Sequence, residues 1–125
     1  MEECVFEIKS TDAAYRCKGT YNEESGLIKF SWNENGNTKY DVSCDRETRR
    51  VISVREGDIK GTLTFEPEAR TKAVMDTGYG VMEIPIETLY VNLPNMFNLS
   101  LEICYMLDGE KKIFSIRRLL QNDLN

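Results

Sequence analysis

The feature that most constrains the fold is an alternation of apolar and polar residues that recurs along most of the chain. In the segment "GLIKFSWNE", one polar residue separates each of the apolar residues Ile28, Phe30 and Trp32. Because successive side chains of a β-strand point to opposite faces, this spacing predicts a strand with one buried face. The pattern returns at Cys4/Phe6/Ile8, Tyr15/Cys17/Gly19/Tyr21, Tyr40/Val42/Cys44, Ile52/Val54, Leu63/Phe65, Met82/Ile84/Ile86/Thr88/Tyr90, Leu99/Leu101/Ile103/Tyr105/Leu107 and Phe114/Ile116.

Turn-forming residues separate these strands at short intervals. The segments "ENGN" (34–37) and "DG" (108–109) indicate hairpins, because glycine and asparagine tolerate the positive φ that a two-residue hairpin requires. No segment has a convincing helical pattern, and the C-terminal "FSIRRLLQNDLN" is predicted to be a closing strand that frays after Leu120. About ten strands joined by tight turns predict an antiparallel meander.

A flat meander of this length would have two open edges, so we expect it to close. The predicted fold is all-β, an antiparallel meander barrel of about 8–10 strands in a single domain over residues 1–125. Pro85 lies within a predicted strand but has no N–H to donate. It therefore predicts an edge position, a bulge or a gap between strands.

Composition disfavours several classes of function. The net charge is −5, and the densest basic segment, "DRETRR" (45–50), is diluted by acids, so we expect no nucleic-acid partner. No apolar run approaches the roughly 20 residues of a spanning helix, so no membrane partner is expected. The acidic start "MEECVFEIKS" does not resemble a secretory signal, which predicts a cytoplasmic location.

The chain contains no histidine, which removes histidine-dependent nucleophiles, proton shuttles and metal sites. The four cysteines lack zinc-ligand spacing and are interpreted as small buried hydrophobes. Glu83 and Glu87 fall on the polar side of their strand and are interpreted as solvated. We therefore predict no catalytic residue, no metal and no cofactor.

Several separate motifs resemble those of the YwiB-like family of uncharacterised bacterial proteins. The resemblance covers roughly residues 19–107 and implies a calycin-like, lipocalin-type barrel. No established activity accompanies it, so it implies no catalytic residue. One departure is that the family often has Tyr-x-Thr-Pro-Tyr-Gly where this chain has Met75 and then "TGYG". The residues that carry the resemblance are Arg55–Gly57, Leu63–Phe65, Thr71, Thr77–Gly80, Glu83, Thr88 and Tyr105.

The segment Thr77–Gly80 is interpreted as a tight corner before a long strand. Its glycines permit unusual backbone angles, and the Tyr79 ring is expected to plug one mouth of the barrel.

The predicted inner face is rich in aromatic side chains, which either line a ligand pocket or fill the core. Small barrels do both, and the free volume decides between them. Arg55 lies just before a turn, where it can fold over the barrel mouth toward a ligand carboxylate or form a salt bridge, whereas Arg117 is expected to face solvent. The aromatic row consists of Phe30, Trp32, Tyr40, Phe65, Tyr90, Tyr105 and Phe114.

The leading hypothesis is a non-enzymatic barrel that binds a small hydrophobic or amphipathic ligand. Its candidate binding residues are Trp32, Tyr40, Arg55, Phe65, Tyr79, Tyr90 and Tyr105.

The alternative is a protein-interaction or homodimerisation module with a filled core. The segment "LYVNLPNMFN" places several large apolar side chains on or near a loop, where they would form an outer patch. The candidate patch residues are Leu93, Met96 and Phe97.

Overall fold

The computed structural model describes residues 2–34 and 36–120. These residues form ten strands, and none of the described segments is a helix that could cross a membrane. The expected fraying after Leu120 concerns residues 121–125, which lie outside the described part of the chain. The strands are β1 (Glu2–Ser10), β2 (Ala14–Glu24), β3 (Leu27–Glu34), β4 (Thr38–Asp45), β5 (Val51–Glu56), β6 (Lys60–Phe65), β7 (Arg70–Asp76), β8 (Val81–Asn92), β9 (Ser100–Leu107) and β10 (Glu110–Arg118).

The strands form one closed barrel in which each strand pairs antiparallel with its neighbours along the chain. β1 closes the barrel by pairing with β10, with Phe6 opposite Arg118 and Ile8 opposite Ile116. The prediction of an all-β antiparallel meander barrel of about 8–10 strands is confirmed. Closure explains how a chain dominated by hairpins leaves few unpaired strand edges.

The β9–β10 turn has the backbone that its sequence predicts. Asp108 has φ 51° and Gly109 has φ 78°, and two successive positive φ angles are typical of a type I′ hairpin. This turn type twists in the same sense as the strands that it joins, so the register of β9 and β10 follows from the dipeptide. In "ENGN", Asn35 lies outside the described residues and Gly36 has φ 75°.

Pro85 occupies an edge position, one of the three arrangements expected from its missing N–H. It lies opposite Lys72 of β7, but β8 pairs with β9 only from Ile86 onward, where Ile86 lies opposite Leu107. Among the described strands, none pairs with Pro85 on the β9 side, so the proline removes no ladder hydrogen bond there. The register between β8 and β9 is irregular later, between Thr88 and Tyr90.

The inward faces of the strands make the core. Phe6 packs edge-on against Phe30, with ring centroids 5.6 Å apart, and against Trp32 at 6.3 Å. These rings lie among aliphatic side chains that are almost fully buried, so this part of the barrel is packed solid. The aliphatic residues include Ile8, Ile28, Val42, Val51, Ile86, Val91, Leu101, Ile103 and Ile116.

The two ends of the barrel differ. One end, here called the sealed end, carries the β4–β5 and β8–β9 loops, which are tied together. Arg46 donates hydrogen bonds to the Glu23 carboxylate (2.8 Å) and to the Pro94 carbonyl (2.7 Å), and Arg49 donates to the Val91 carbonyl. The opposite end, here called the hairpin end, carries the β1–β2, β3–β4, β5–β6, β7–β8 and β9–β10 turns.

Candidate functional site

An interior cavity of about 230 Å³ occupies the half of the barrel toward the hairpin end. Its walls are mostly apolar, with a guanidinium, a serine hydroxyl and two tyrosines. The structure therefore combines both interpretations of the aromatic row, because the interior is filled on one side and hollow on the other. The lining residues are Tyr40, Val42, Ser53, Arg55, Leu63, Phe65, Met75, Ile103, Tyr105 and Phe114.

A glycine and a serine on the inward faces of neighbouring strands shape the hollow. Arg55 lies opposite both Tyr40 and Gly61, and Gly61 lies opposite Met75. A side chain at position 61 would have its Cβ 2.6 Å from the Met75 sulfur, so the glycine leaves the space that Met75 occupies. Ser53, two residues before Arg55, is likewise too small to fill its side of the barrel.

Aromatic pairs form two walls of the site. Tyr40 lines the cavity and stacks on Trp32, with centroids 5.1 Å apart and planes 12° apart. Phe65 of β6 and Tyr105 of β9 form the second wall, with ring centroids 4.8 Å apart. Trp32 is 3% exposed and lies outside the lining set, so it supports the site through Tyr40.

The indole N–H of Trp32 is hydrogen-bonded within the protein. Its Nε1–H donates to the Tyr15 hydroxyl at 3.2 Å, and that hydroxyl donates to Glu34 Oε2 at 3.2 Å. Burial raises the pKa of Tyr15, so its hydroxyl keeps its proton in neutral solution. This chain of hydrogen bonds fixes the orientation of the indole on which Tyr40 stacks.

Arg55 is the principal polar group of the cavity. Its Cζ lies 5.9 Å from the centre of the Tyr40 ring, a cation–π distance. Its Nε is buried and has no hydrogen-bond partner among the described residues, and none of their carboxylates lies within ion-pair distance of it. Arg55 therefore lies at the barrel mouth, as expected. The alternative prediction, that Arg55 forms a salt bridge, is wrong for the described part of the chain.

Lys112 is a second cation at the hairpin end that the sequence analysis missed. It lies opposite Tyr105, and its ammonium is 3.1 Å from Glu110 and 3.8 Å from Asp12. The available signal was its position two residues before Phe114, on the same face of the strand. Its charge is already balanced by two carboxylates.

Tyr79 does not plug the barrel, contrary to expectation. It is fully exposed at the tip of the β7–β8 turn, which closes when the Thr77 N–H donates to the Gly80 carbonyl at 3.2 Å. The Asp76 carboxylate also accepts a hydrogen bond from the Gly78 N–H at 2.9 Å. These bonds hold the turn as a short projecting corner, and the ring points away from the cavity.

Tyr90 is also outside the barrel, so its assignment to the inward row is wrong. The irregular register after Thr88 inserts Leu89 and Tyr90 together on the outer face, where they are 42% and 36% exposed. The Tyr90 hydroxyl donates to Glu102 Oε2 at 2.8 Å. Thr88 takes the inward position opposite Tyr105 and is buried.

The phenols and thiols inside the barrel are held neutral. Burial raises the pKa of Tyr40 and of Tyr105, so both phenols remain hydrogen-bond donors near pH 7. Burial likewise raises the pKa of Cys17 to about 11 and that of Cys44 to about 12. These two thiols are therefore protonated at neutral pH and are poor nucleophiles.

The remaining charged candidates face outward as expected. Arg117 lies 3.6 Å from Glu7, and Glu83 lies 3.1 Å from the Lys72 ammonium. Glu87 is exposed.

The proposed outer patch is divided between the core and the surface. Leu93 packs against the core, whereas Met96 and Phe97 are 84% and 92% exposed in the β8–β9 loop.

Comparisons with known proteins agree with this architecture. No curated protein matches the chain. The barrel is similar to the crystal structure of the ywiB protein from Bacillus subtilis, with a TM-score of 0.76 and 20% sequence identity over 91% of this chain and 88% of that one. The predicted YwiB-like resemblance is thereby confirmed for the fold. The model of a domain of unknown function matches residues 8–119, so the chain belongs to the DUF1934 family.

Proposed function

We propose that the barrel binds one small amphipathic molecule in its interior cavity. The observation that carries this proposal is a hollow of about 230 Å³ with apolar walls and a few polar groups. Binding sites for small molecules have this composition, because apolar walls supply affinity and placed polar groups fix orientation. The calycin-like likeness implied by the family resemblance supports the same function, since lipocalin-type barrels hold one small ligand.

The volume limits the size of the ligand. Drug-sized ligands occupy pockets of roughly 300–1,000 Å³, and this cavity is smaller. A water molecule occupies about 30 Å³ of the liquid, so the cavity has the volume of about eight waters. Because bonded atoms lie closer together than separate water molecules, it suits a molecule of about ten non-hydrogen atoms. A single aromatic ring with a short substituent, or a short aliphatic chain, fits this limit.

Trp32 provides a built-in reporter for the proposed binding. It is the sole tryptophan of the chain and stacks on Tyr40, which lines the cavity. We expect a saturable change in its fluorescence on titration with neutral ring or short-chain compounds of about ten non-hydrogen atoms.

A pair of variants separates interior binding from surface binding. Ser53→Phe adds a ring on the cavity wall and is expected to abolish the response while the protein stays folded. Thr62→Phe adds the same ring on an exposed outward position of β6 and is expected to leave the response intact. A fluorescence signal that persists in Ser53→Phe, or a set of compounds that gives no response in the wild type, would contradict interior binding.

A second candidate function rests on the exposed Phe97 ring and Met96 thioether of the β8–β9 loop. Met96 and Phe97 stand almost fully in solvent, which is costly for large apolar side chains unless a second surface covers them. In this alternative the chain forms a homodimer through Met96 and Phe97, with Leu93 anchoring the loop. Sedimentation should then show a dimer that Phe97→Ser converts to a monomer, whereas a wild-type monomer at high concentration would eliminate this function.

A further inference from the structure

We infer that the ligand carries one carboxylate, which the Arg55 guanidinium binds inside the barrel. This inference rests on the proposed function and specifies the chemical class of its ligand, a small apolar monocarboxylate.

The first step is that Arg55 has no ion-pair partner among the described residues. A guanidinium cannot release its proton in a protein, so burial does not neutralise it. The Tyr40 ring is its one cation–π partner, and its buried Nε has no hydrogen-bond partner among the described residues. Leaving such a donor unpaired costs on the order of 1–3 kcal/mol. An anion in the cavity would remove that cost.

The second step is that several carboxylates at the hairpin end contact other residues. Glu34 accepts a hydrogen bond from the Tyr15 hydroxyl. Glu110 and Asp12 both pair with Lys112, at 3.1 Å and 3.8 Å. None of the described carboxylates therefore serves as the counter-ion of Arg55.

The third step is that a second donor stands beside Arg55 on the cavity wall. Ser53 lies two residues earlier on the same inward face of β5 and lines the same cavity. Its hydroxyl forms no hydrogen bond with another residue in the described ranges 2–34 and 36–120. A carboxylate has two oxygens that each accept more than one hydrogen bond, so it can receive both donors.

The fourth step concerns the number of charges and the body of the ligand. The remaining walls include Leu63, Phe65, Ile103 and Phe114, which offer apolar contact and no further cation. A phosphate brings a charge of about −1.5 to −2, more than one guanidinium balances. A dicarboxylate would bury a second anion against apolar walls, which is costly without a partner. One carboxylate on an apolar body therefore fits best.

The test compares carboxylates with their neutral amides by isothermal titration calorimetry. The probes are phenylacetate with phenylacetamide, and octanoate with octanamide. We expect wild-type protein to bind at least one carboxylate about 10- to 100-fold more tightly than its amide, as expected for hydrogen bonds to a charged group.

Arginine variants then locate the effect. Arg55→Met should abolish the preference for the carboxylate over its amide, whereas Arg117→Met removes the same side chain from the outer surface and should retain the preference. Arg55→Lys keeps the positive charge but lacks the planar set of donors of a guanidinium, so it should retain part of the preference for the carboxylate. Circular dichroism confirms folding of each variant, and Arg55→Lys carries the test if Arg55→Met does not fold.

The outcomes distinguish this inference from the proposed function. Equal binding of a carboxylate and its amide by the wild type would overturn the inference and leave the barrel as a binder of neutral apolar molecules. A preference that survives in both Arg55 variants would overturn the role of Arg55. Absence of binding by all four probes and by the neutral compounds of the fluorescence titration would overturn both.

Discussion

Replacing Phe30 by alanine is expected to lower the free energy of unfolding by about 4 kcal/mol, the usual range for a buried phenylalanine being about 3–5 kcal/mol. The Phe30 side chain is fully buried, and its ring lies 5.6 Å from that of Phe6 and 5.3 Å from that of Tyr21. The truncation would leave a void in the core. The strands of a closed barrel are held by their pairing on both sides, so they cannot move inward to fill it. Urea denaturation followed by circular dichroism measures the change.

Phe97→Ala is the matched control for this experiment. Phe97 is 92% exposed, so its removal from a monomer should change the free energy of unfolding by no more than about 0.5 kcal/mol. Similar losses in the two variants would show that Phe30 does not belong to a packed interior. That result would also contradict the inward assignment of the whole β3 face.

Gly19→Ala is the second substitution with a large expected effect. An added Cβ would lie 2.3 Å from the Ser31 carbonyl oxygen and 2.5 Å from Phe6 Cε2. The first neighbour is backbone, which cannot rotate away, and the second is a ring held in the core. We expect a loss of about 3 kcal/mol, at the upper end of the usual cost of overpacking, measured by the same urea denaturation.

Gly80→Ala is the matched control. It tests whether the destabilisation by Gly19→Ala comes from the clash of the added Cβ or from the loss of a glycine in itself. A Cβ on Gly80 would meet nothing within 4 Å, and its φ lies outside the positive region. The free energy of unfolding should therefore change by less than about 0.5 kcal/mol. Equal destabilisation at both positions would contradict the close approach of Phe6 to the β2 backbone.

Most of the barrel could be predicted from the sequence, because its determinants are local. Alternation in Leu27–Glu34 defines which face of β3 is buried, and Asp108–Gly109 defines the turn and register of β9 and β10. The irregularity after Thr88 was not predictable, since the alternation of apolar residues continues through Tyr90. A single inserted position then moved Tyr90 to the outer face.

The site could be predicted only in part, because its key properties depend on neighbours in space. The sequence indicated inward aromatic residues and a mouth position for Arg55. It could not indicate that Ser53 leaves room for a hollow while Met75 fills the space beside Gly61, since free volume is a sum over several strands. The lack of an ion pair at Arg55 among the described residues likewise depends on which carboxylates pair elsewhere, and no spacing of residues in the sequence indicates that pairing.

The central claim is that the ligand occupies the barrel interior, and methionine methyl signals test it directly. The chain has five methionines, of which Met75 lines the cavity and Met96 is 84% exposed in the β8–β9 loop. The measurement is a carbon–proton correlation spectrum of protein labelled at the methionine methyls, titrated with phenylacetate and octanoate. Met75→Leu and Met96→Leu assign the two signals.

Interior binding predicts that the Met75 signal shifts in a saturable manner during this titration while the Met96 signal stays in place. A Met96 signal that moves while that of Met75 does not would place the ligand on the outer loop, and that result would contradict the account.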